Sequence, residues 1–397
     1  MAKNRRKSNS GGLITGGAAI VLILAVAAFL GYSALREGGL PGGDAASALR
    51  TAVATLPVDV ELPADPPGLP VLVPTRTSRP PSGAEGDGVT AYFSDPLNGQ
   101  PGQGPEMALV AAINAAAQSV DVAVYNISLD TVADALINAH RRGVRVRMVM
   151  ESEAMERRVP ENLASAGISI VGDQREGLMH NKFTIIDNRE VWTGSMNYTS
   201  TSAYNDFNNL VRVRSAEVVE NYRANFEEMF AQKRFGVDKR PNTPYPQTSA
   251  GGIPIEVYFS PDDGPAEHVV EELRAARKSI DFLAYSFTRD DFAGAMLAQA
   301  SGGVRVRGVF DLSQFESNQG GEYEALRRAR LDVRLDNIPG LMHHKVIIID
   351  GKTVITGSYN FSANAERTND ENLIIIRDPK LAQQFLAHFE QVYSVAE

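Results

Sequence analysis

The stretch His180–Asp187 reads HNKFTIID, and the stretch His343–Asp350 reads HHKVIIID. In both, a histidine and a lysine two positions apart lead into a run of apolar β-formers, which predicts the start of a buried strand. Side chains alternate between the two faces of a strand, so the histidine and the lysine share a face and the aspartate takes the other. We therefore expect the histidine–lysine pairs to serve chemistry, and Asp187 and Asp350 to serve as structural support in a turn or an ion pair.

The two stretches belong to an internal repeat. Gly143–Arg147 (GVRVR) returns unchanged at Gly303–Arg307, an offset of 160 residues, and the two histidines are 163 residues apart. A near-constant offset indicates two structurally equivalent halves. Within each half, short β-branched runs alternate with stretches of helical spacing, which predicts an α/β fold with a largely buried sheet. In the first half the strands are expected at Val120–Val124, Val144–Met150 and Phe183–Ile186, with helices at Met107–Ala117, Thr131–Arg142 and Ala216–Phe230.

The alternation also predicts where the domains lie. We expect a first domain at residues 89–232, a connector with three prolines at residues 233–250, and a second domain at residues 251–397 that ends in a helix at Pro379–Val395. Residues 36–88 are rich in proline, glycine and alanine, a composition typical of an extended linker that builds no core.

The first 35 residues read as a membrane anchor. Four basic residues precede an uncharged run of 23 residues, Leu13–Leu35, and a helix of that length spans roughly 34 Å against a bilayer core of about 30 Å. The basic flank predicts a cytoplasmic stub and an extracytoplasmic catalytic part. The alternative is a cleaved signal peptide, because small residues occur within the run, and the protein would then be secreted.

Composition excludes several kinds of site. The chain has no cysteine, which excludes disulfides, thiolate metal sites and cysteine nucleophiles. The net charge is −9, and residues 88–397 carry 31 basic and 41 acidic side chains. Such an acidic body does not favour nucleic acid as a ligand, because proteins that bind nucleic acid typically present a basic stripe.

Each histidine motif is followed by a Gly-Ser-x-Asn turn, seven residues after its aspartate. A hairpin of that length predicts that the serine and asparagine return beside the histidine of the same half. The resulting pocket would hold two histidines, two lysines, two serines and two asparagines. The side chains concerned are His180, Lys182, Ser195 and Asn197 in the first half, and His343, Lys345, Ser358 and Asn360 in the second.

That set of side chains suits a phosphodiester. Ammonium, amide and hydroxyl donors bind the non-bridging oxygens and stabilise a five-coordinate transition state. One imidazole attacks phosphorus to give a phosphohistidine, and the other protonates the leaving oxygen and then activates water. This chemistry requires no metal and no other cofactor.

Residues 88–395 resemble the phospholipase D superfamily, whose signature is His-x-Lys-x4-Asp with Gly-Ser-x-Asn downstream. The tail Asn369–Leu373 (NDENL) is similar to that of the small bacterial nuclease and mitochondrial cardiolipin hydrolase branch. The resemblance implies two α/β/α sandwiches related by a pseudo-twofold axis, with one site at their interface. A monomer would then be complete without an obligate protein partner.

The resemblance also implies separate roles for the two histidines. In that branch a glutamate holds the catalytic histidine through its other ring nitrogen, and by motif position Glu371 would orient His343. The first half has Asn208 at the glutamate position, so His180 would lack a carboxylate unless Asp206 supplied one. This asymmetry favours His343 as the general acid and His180 as the nucleophile.

The function expected from the sequence is hydrolysis of membrane phospholipids by a metal-independent phosphodiesterase. The alternatives are an extracytoplasmic nuclease, favoured by the motif tail, and a transphosphatidylase, in which an alcohol replaces water. A non-catalytic scaffold protein is a further class, and the intact motifs in both halves argue against it.

Overall fold

Two mixed β-sheets with packed helices form the described part of the chain. The structure is a computed structural model, and it describes residues 88–99, 102–317 and 320–397. Each sheet is built by one half of the sequence repeat, so the predicted α/β fold with two equivalent halves is confirmed.

The first sheet has seven strands in the order β1-β7-β6-β5-β2-β3-β4. β2, β3 and β4 run parallel, and the other neighbours are antiparallel. The strands are β1 (Val89–Phe93), β2 (Ser119–Val124), β3 (Arg145–Met150), β4 (Ser169–Gly172), β5 (Lys182–Ile186), β6 (Glu190–Gly194) and β7 (Asn209–Val213).

The second sheet repeats this order with one strand added at its edge, β12-β11-β10-β13-β14-β15-β9-β8. Again the three strands β10, β11 and β12 are parallel and the rest antiparallel. The strands are β8 (Gln247–Ala250), β9 (Ile253–Ser260), β10 (Ser279–Ala284), β11 (Arg305–Phe310), β12 (Asp332–Leu335), β13 (Lys345–Ile349), β14 (Thr353–Gly357) and β15 (Glu371–Arg377).

The helices begin and end close to the predicted residues. A glycine with φ near +90° follows the second helix of each half, at Gly143 and Gly303, where an L side chain would be strained. The helices are α1 (Pro105–Ala115), α2 (Asp130–Arg141), α3 (Arg158–Ser165), α4 (Ser200–Tyr204), α5 (Ala216–Phe230), α6 (Pro265–Ala275), α7 (Asp290–Ser301), α8 (Leu312–Ser317), α9 (Tyr323–Arg328), α10 (Ala363–Arg367) and α11 (Pro379–Val395), with short 3-10 turns at Ser152–Ala154 and Gly236–Asp238.

The repeated GVRVR segment has a structural reason. Arg147 on β3 pairs with Asp121 on β2 at 2.7 Å, and Arg307 on β11 pairs with Asp281 on β10 at the same distance. Both aspartates are buried, and a buried carboxylate needs such a partner. Each arginine therefore neutralises a charge at the same point of its own sheet.

The connector does more than link the two halves. Its last four residues, Gln247–Ala250, form β8 at the edge of the second sheet. Earlier in the connector, the buried Lys239 ammonium lies 3.1 Å from Asp262 and 3.7 Å from Asp370. Because Asp370 precedes the predicted site residue Glu371, the connector takes part in building the site.

The predicted membrane anchor at Leu13–Leu35 and the linker up to residue 87 lie outside the described residues. Among the helices of residues 88–99, 102–317 and 320–397, none is long and apolar enough to cross a bilayer.

Candidate active site

Both histidine motifs lie where the two sheets meet end to end. The backbone N–H of His180 donates to the carbonyl of Asp370 at 3.0 Å, and that of His343 donates to the carbonyl of Phe207 at 3.0 Å. Each motif is therefore hydrogen-bonded to the opposite half. Isolated bridges between Met179 and Asp370 and between Phe207 and Met342 continue this contact, and it brings the two motifs together.

The lysines are held by their own motifs. β5 begins at Lys182 and β13 at Lys345, so each lysine enters a fully buried strand two residues after its histidine. Lys182 Nζ donates to the carbonyl of His180 at 2.8 Å, and Lys345 Nζ donates to that of His343 at 2.7 Å. Both lysines are essentially inaccessible to solvent. An ammonium so placed retains two protons to donate to an anionic ligand.

Glu371 orients His180 and not His343, so the pairing predicted from motif position is wrong. His180 Nδ1 lies 2.8 Å from both carboxylate oxygens of Glu371, although the two residues belong to different halves. The reason is the end-to-end contact of the sheets, which carries the start of β15 across to the opposite motif. Asp206 does not supply a carboxylate to His180 either, since it accepts from the backbone N–H of Leu341 at 3.0 Å.

His343 is held by an amide in the matching position. Its Nδ1 lies 2.9 Å from Asn208 Oδ1, so the first half supports the second histidine just as the second half supports the first. The serines follow the same exchange. Ser195 donates to Asn208 Oδ1 at 2.8 Å, and Ser358 donates to Glu371 at 2.6 Å. The hairpins therefore connect each serine to the histidine of the opposite half, and not to that of its own half as predicted.

The glycine of each Gly-Ser-x-Asn turn allows this close approach. A Cβ at Gly194 would lie 2.3 Å from the carbonyl oxygen of Asn209, and φ is +151°. A Cβ at Gly357 would lie 2.3 Å from the carbonyl oxygen of Asn372. Larger residues would push β6 from β7 and β14 from β15. The serine hydroxyls would then lose their partners.

Asn197 and Asn360 end these turns in equivalent positions. Within the described residues, the side-chain oxygen of each is buried and has no hydrogen-bond partner. Buried polar atoms are nearly always paired, and exceptions often mark functional positions. The matched exception in both halves is consistent with the predicted role of these amides in binding a ligand.

The motif aspartates lie away from this pocket, in the turns after β5 and β13. Asp187 accepts from the backbone N–H groups of Ala117, Gln118 and Ser119 at 2.6–3.2 Å. Asp350 accepts from the three equivalent groups at residues 277–279. Burial raises the pKa of Asp187, but the backbone donors outweigh it and hold that pKa below its usual value.

Burial governs the electrostatics of the pocket. It lowers the pKa of His180 to about 4 although Glu371 opposes the shift, and it lowers the pKa of Lys182 to about 7. The pKa of His343 lies well below its usual value because of burial and the charges of Lys345 and Lys182. Glu371 remains a carboxylate, because His180 and Lys182 lower its pKa against the effect of burial. Both imidazoles are therefore neutral at pH 7.

Two tyrosines of the site were not singled out from the sequence. The ring of Tyr125 meets His180 edge-on with centroids 5.1 Å apart, and that of Tyr285 meets His343 at 4.6 Å. Lys182 Nζ and Lys345 Nζ lie 5.4 and 4.6 Å from the same two ring centroids. Both tyrosines stand at matching places in the sequence repeat, and that match was the available signal.

Two carboxylates were also missed. Glu151 accepts from the backbone N–H of Met179, and Asp311 accepts from that of Met342, each at 3.0 Å. These are the residues directly before His180 and His343. Both carboxylates are buried and follow equivalent strands, β3 and β11. They fix the backbone from which each catalytic candidate projects.

The remaining histidine of the second motif serves the interior. His344 is fully buried, accepts from Asn209 Nδ2 at Nδ1 and lies 2.9 Å from His388 through the two Nε2 atoms. His388 also stacks on Phe93. The side chain of His344 therefore joins the two halves and takes no place beside His343.

Comparisons with known proteins agree with this geometry. The family described as "Cardiolipin synthase, PLD-like domain" matches residues 109–230 and 269–393. A phospholipase D of Rickettsia prowazekii is 34% identical over 164 residues, which cover 41% of this chain and 80% of that protein. The human mitochondrial cardiolipin hydrolase is 37% identical over 125 residues, 32% of this chain and 49% of that protein.

A solved structure resembles both halves together. The phosphatidylserine synthase of Haemophilus influenzae superposes with a TM-score of 0.58 at 13% identity, over 78% of this chain and 89% of its own. At that identity the likeness concerns the fold alone, which is a pair of fused α/β halves.

Proposed function

Because the chain belongs to the phospholipase D superfamily and is a phosphodiesterase, we propose that it hydrolyses phospholipids with His180 as the nucleophile. The bond between His180 Nδ1 and Glu371 carries the proposal. A carboxylate cannot donate, so Nδ1 holds the ring proton and Nε2 keeps its lone pair. With its pKa lowered to about 4, His180 offers this lone pair throughout the neutral range.

The first step forms a bond between His180 Nε2 and phosphorus and breaks the bond from phosphorus to the leaving oxygen. His343, protonated at Nε2 when the anionic substrate binds, passes that proton to the leaving oxygen and releases an alcohol. Glu371 faces the positive charge that develops on the His180 ring. In the second step His343 takes a proton from water, the water oxygen attacks phosphorus, and the bond to His180 breaks.

The other side chains stabilise charge. Lys182 and Lys345 are the cations nearest the two imidazoles, and a phosphodiester bound between them would place its non-bridging oxygens against the free ammonium protons. Asn197 and Asn360 would complete the set of donors. In this proposal the buried lysines give more than an exposed pair could, because charges interact more strongly away from water.

Two observations favour a lipid substrate. The relatives of highest similarity reported above are named for lipid hydrolysis, and residues 88–397 carry ten more acidic than basic side chains. We propose that Leu13–Leu35 anchors the protein, with an extracytoplasmic catalytic part, and that a single chain suffices because both motifs lie in it. Nucleic acid as a substrate is the alternative outcome of the test.

The test compares the full-length chain with its His180→Ala variant in detergent micelles containing EDTA. Four substrates are offered separately: phosphatidylcholine, cardiolipin, single-stranded DNA and bis-p-nitrophenyl phosphate. His140→Gln is the matched control, because His140 lies on α2 outside the site. We expect the wild type and the control to release an alcohol from lipid and p-nitrophenol from the chromogenic diester, and His180→Ala to do neither.

Three results would overturn parts of the proposal. Diester cleavage that survives in His180→Ala would exclude this nucleophile. Turnover of DNA without turnover of lipid would replace the substrate. Acid-quenched protein without phosphate bound to histidine, under conditions of turnover, would exclude the covalent intermediate.

A further inference from the structure

The two catalytic histidines have chemically different partners in otherwise matching networks. Glu371 accepts from His180 and from Ser358, and Asn208 accepts from His343 and from Ser195. Distances agree within 0.2 Å, from 2.6 and 2.8 Å in one network to 2.8 and 2.9 Å in the other. The difference is therefore one of charge and not of geometry.

The amide of Asn208 has a fixed orientation. Its Nδ2 donates to the carbonyl of Ser202 at 3.0 Å, so Oδ1 is the atom that faces the site. The residue is fully buried. Its oxygen accepts the Nδ1 proton of His343 and fixes the ring with the lone pair at Nε2, as Glu371 does for His180. Unlike a carboxylate, it adds no negative charge to stabilise an imidazolium.

The other groups around His343 do not make up for that missing charge. Lys345, Lys182, His180 and His344 all disfavour its protonated form. Tyr285 presents a ring edge at a centroid distance of 4.6 Å. The two carboxylates of the neighbouring elements, Asp311 and Asp206, bond to the backbone at Met342 and Leu341 and not to the ring.

We propose that Asn208 is a positioning residue that holds His343 in place for proton transfer but withholds the negative charge that would make it a strong base. The second step, in which His343 removes a proton from water, is then slower than the first. The phosphohistidine at His180 accumulates during turnover. This inference rests on the proposed function, since it concerns the order of rates in that same reaction.

The proton balance shows why the two steps respond in opposite ways. A poorly stabilised imidazolium at His343 is a strong acid, so it readily gives its proton to the leaving oxygen as the P–O bond breaks. The neutral ring that remains is a weak base, so it is slow to take the proton of water while the new P–O bond forms and the P–N bond breaks. A carboxylate at position 208 would reverse both effects.

The test uses the full-length protein and bis-p-nitrophenyl phosphate, whose leaving group departs without help from an acid. We expect the wild type to release a burst of about one p-nitrophenol per chain before a slower steady rate. Asn208→Asp has the size of the original side chain and supplies the charge. It should raise the steady rate on the order of tenfold and shrink the burst.

A second readout does not depend on activity. In a histidine NMR titration, with His343 assigned by its loss in His343→Gln, Asn208→Asp should raise the titration midpoint of His343 by about one to three pH units. Asn209→Asp is the matched control, because Asn209 contacts His344 and not His343. It should leave the midpoint of His343 in place. Asn208→Glu, which copies residue 371, serves if the aspartate variant does not fold.

The failures of the inference and of the proposed function are distinguishable. An active, His180-dependent wild type without a burst would overturn the role of Asn208, and so would a folded aspartate or glutamate variant with an unchanged midpoint and steady rate. Activity that persists in His180→Ala would instead overturn the proposed function itself.

Discussion

His180 and Glu371 are 191 positions apart in the chain, yet the Nδ1 atom of one lies 2.8 Å from the carboxylate of the other. The two residues come from different halves of the repeat, so neither half can orient its own histidine. Four predictions follow the consequences of this arrangement and of the buried charges around it.

Glu371→Gln removes the charge that faces the proposed nucleophile and permits an amide flip that would turn the ring. We expect kcat on the chromogenic diester to fall on the order of 10²-fold or more. Steady-state kinetics measures the loss, and Glu161→Gln on the exposed face of α3 is the control. Unchanged kcat in a folded Glu371→Gln protein would show that His180 does not depend on this carboxylate.

The pH dependence of kcat/KM should have two limbs set by buried groups. Activity falls below about pH 4, where His180 gains a proton and loses its lone pair, because burial lowers its pKa to about 4. It falls again above about pH 7, where Lys182 loses its charge, because burial lowers the pKa of this lysine to about 7 and Glu371 only partly opposes the shift. A pH–rate profile on a substrate that does not titrate measures both limbs. An alkaline limb near 10, about the value of an unperturbed lysine, would contradict this account.

Tyr285 packs its ring against both His343 and Lys345. Tyr285→Leu removes the edge contact and the cation–π contact, and we expect kcat/KM to fall about tenfold, since such contacts are worth about 1–2 kcal/mol when desolvated. Tyr285→Phe keeps the ring and should stay within about threefold of wild type. Equal losses in the two variants would assign the effect to the hydroxyl instead.

Asp187→Asn should weaken folding and leave the chemistry in place. Three backbone N–H groups lose a charged acceptor, so the free energy of unfolding should fall by about 1–3 kcal/mol at pH 7. Because the folded pKa of Asp187 is depressed, the contribution is complete above the unfolded value of about 4 and disappears as the pH falls through the folded value. Urea unfolding at pH 7 and pH 3 measures the difference, with the exposed Asp134→Asn as the control. A difference that persists undiminished at pH 3 would contradict the role of its charge.

Much of the architecture was predictable because it depends on local patterns. The helix predicted at Ala216–Phe230 and the terminal helix at Pro379–Val395 have the expected bounds, since capping residues and apolar periodicity act within a few residues. The alternation of strand side chains likewise separated Lys182 from Asp187. These features are determined by neighbouring residues in the chain.

The pairing of Glu371 was not predictable in this way. Motif position relates a residue to its own half, whereas the site forms from hydrogen bonds between residues that the repeat places far apart. Asn208 and Glu371 occupy equivalent positions, and only the contact of the two sheets decides which histidine each one reaches. The tyrosines were overlooked for a simpler reason, because their repetition was visible but their chemistry was not considered.

The exchange of supporting residues between the halves also has an evolutionary consequence. If the chain arose from a duplicated gene, a substitution in one copy alters the titration and orientation of the histidine encoded by the other. Drift in either copy is then felt at once by its sister, and the two can specialise for different steps only through paired changes. The asparagine at position 208 is the form such a division of labour would take, written in one copy and read out in the other.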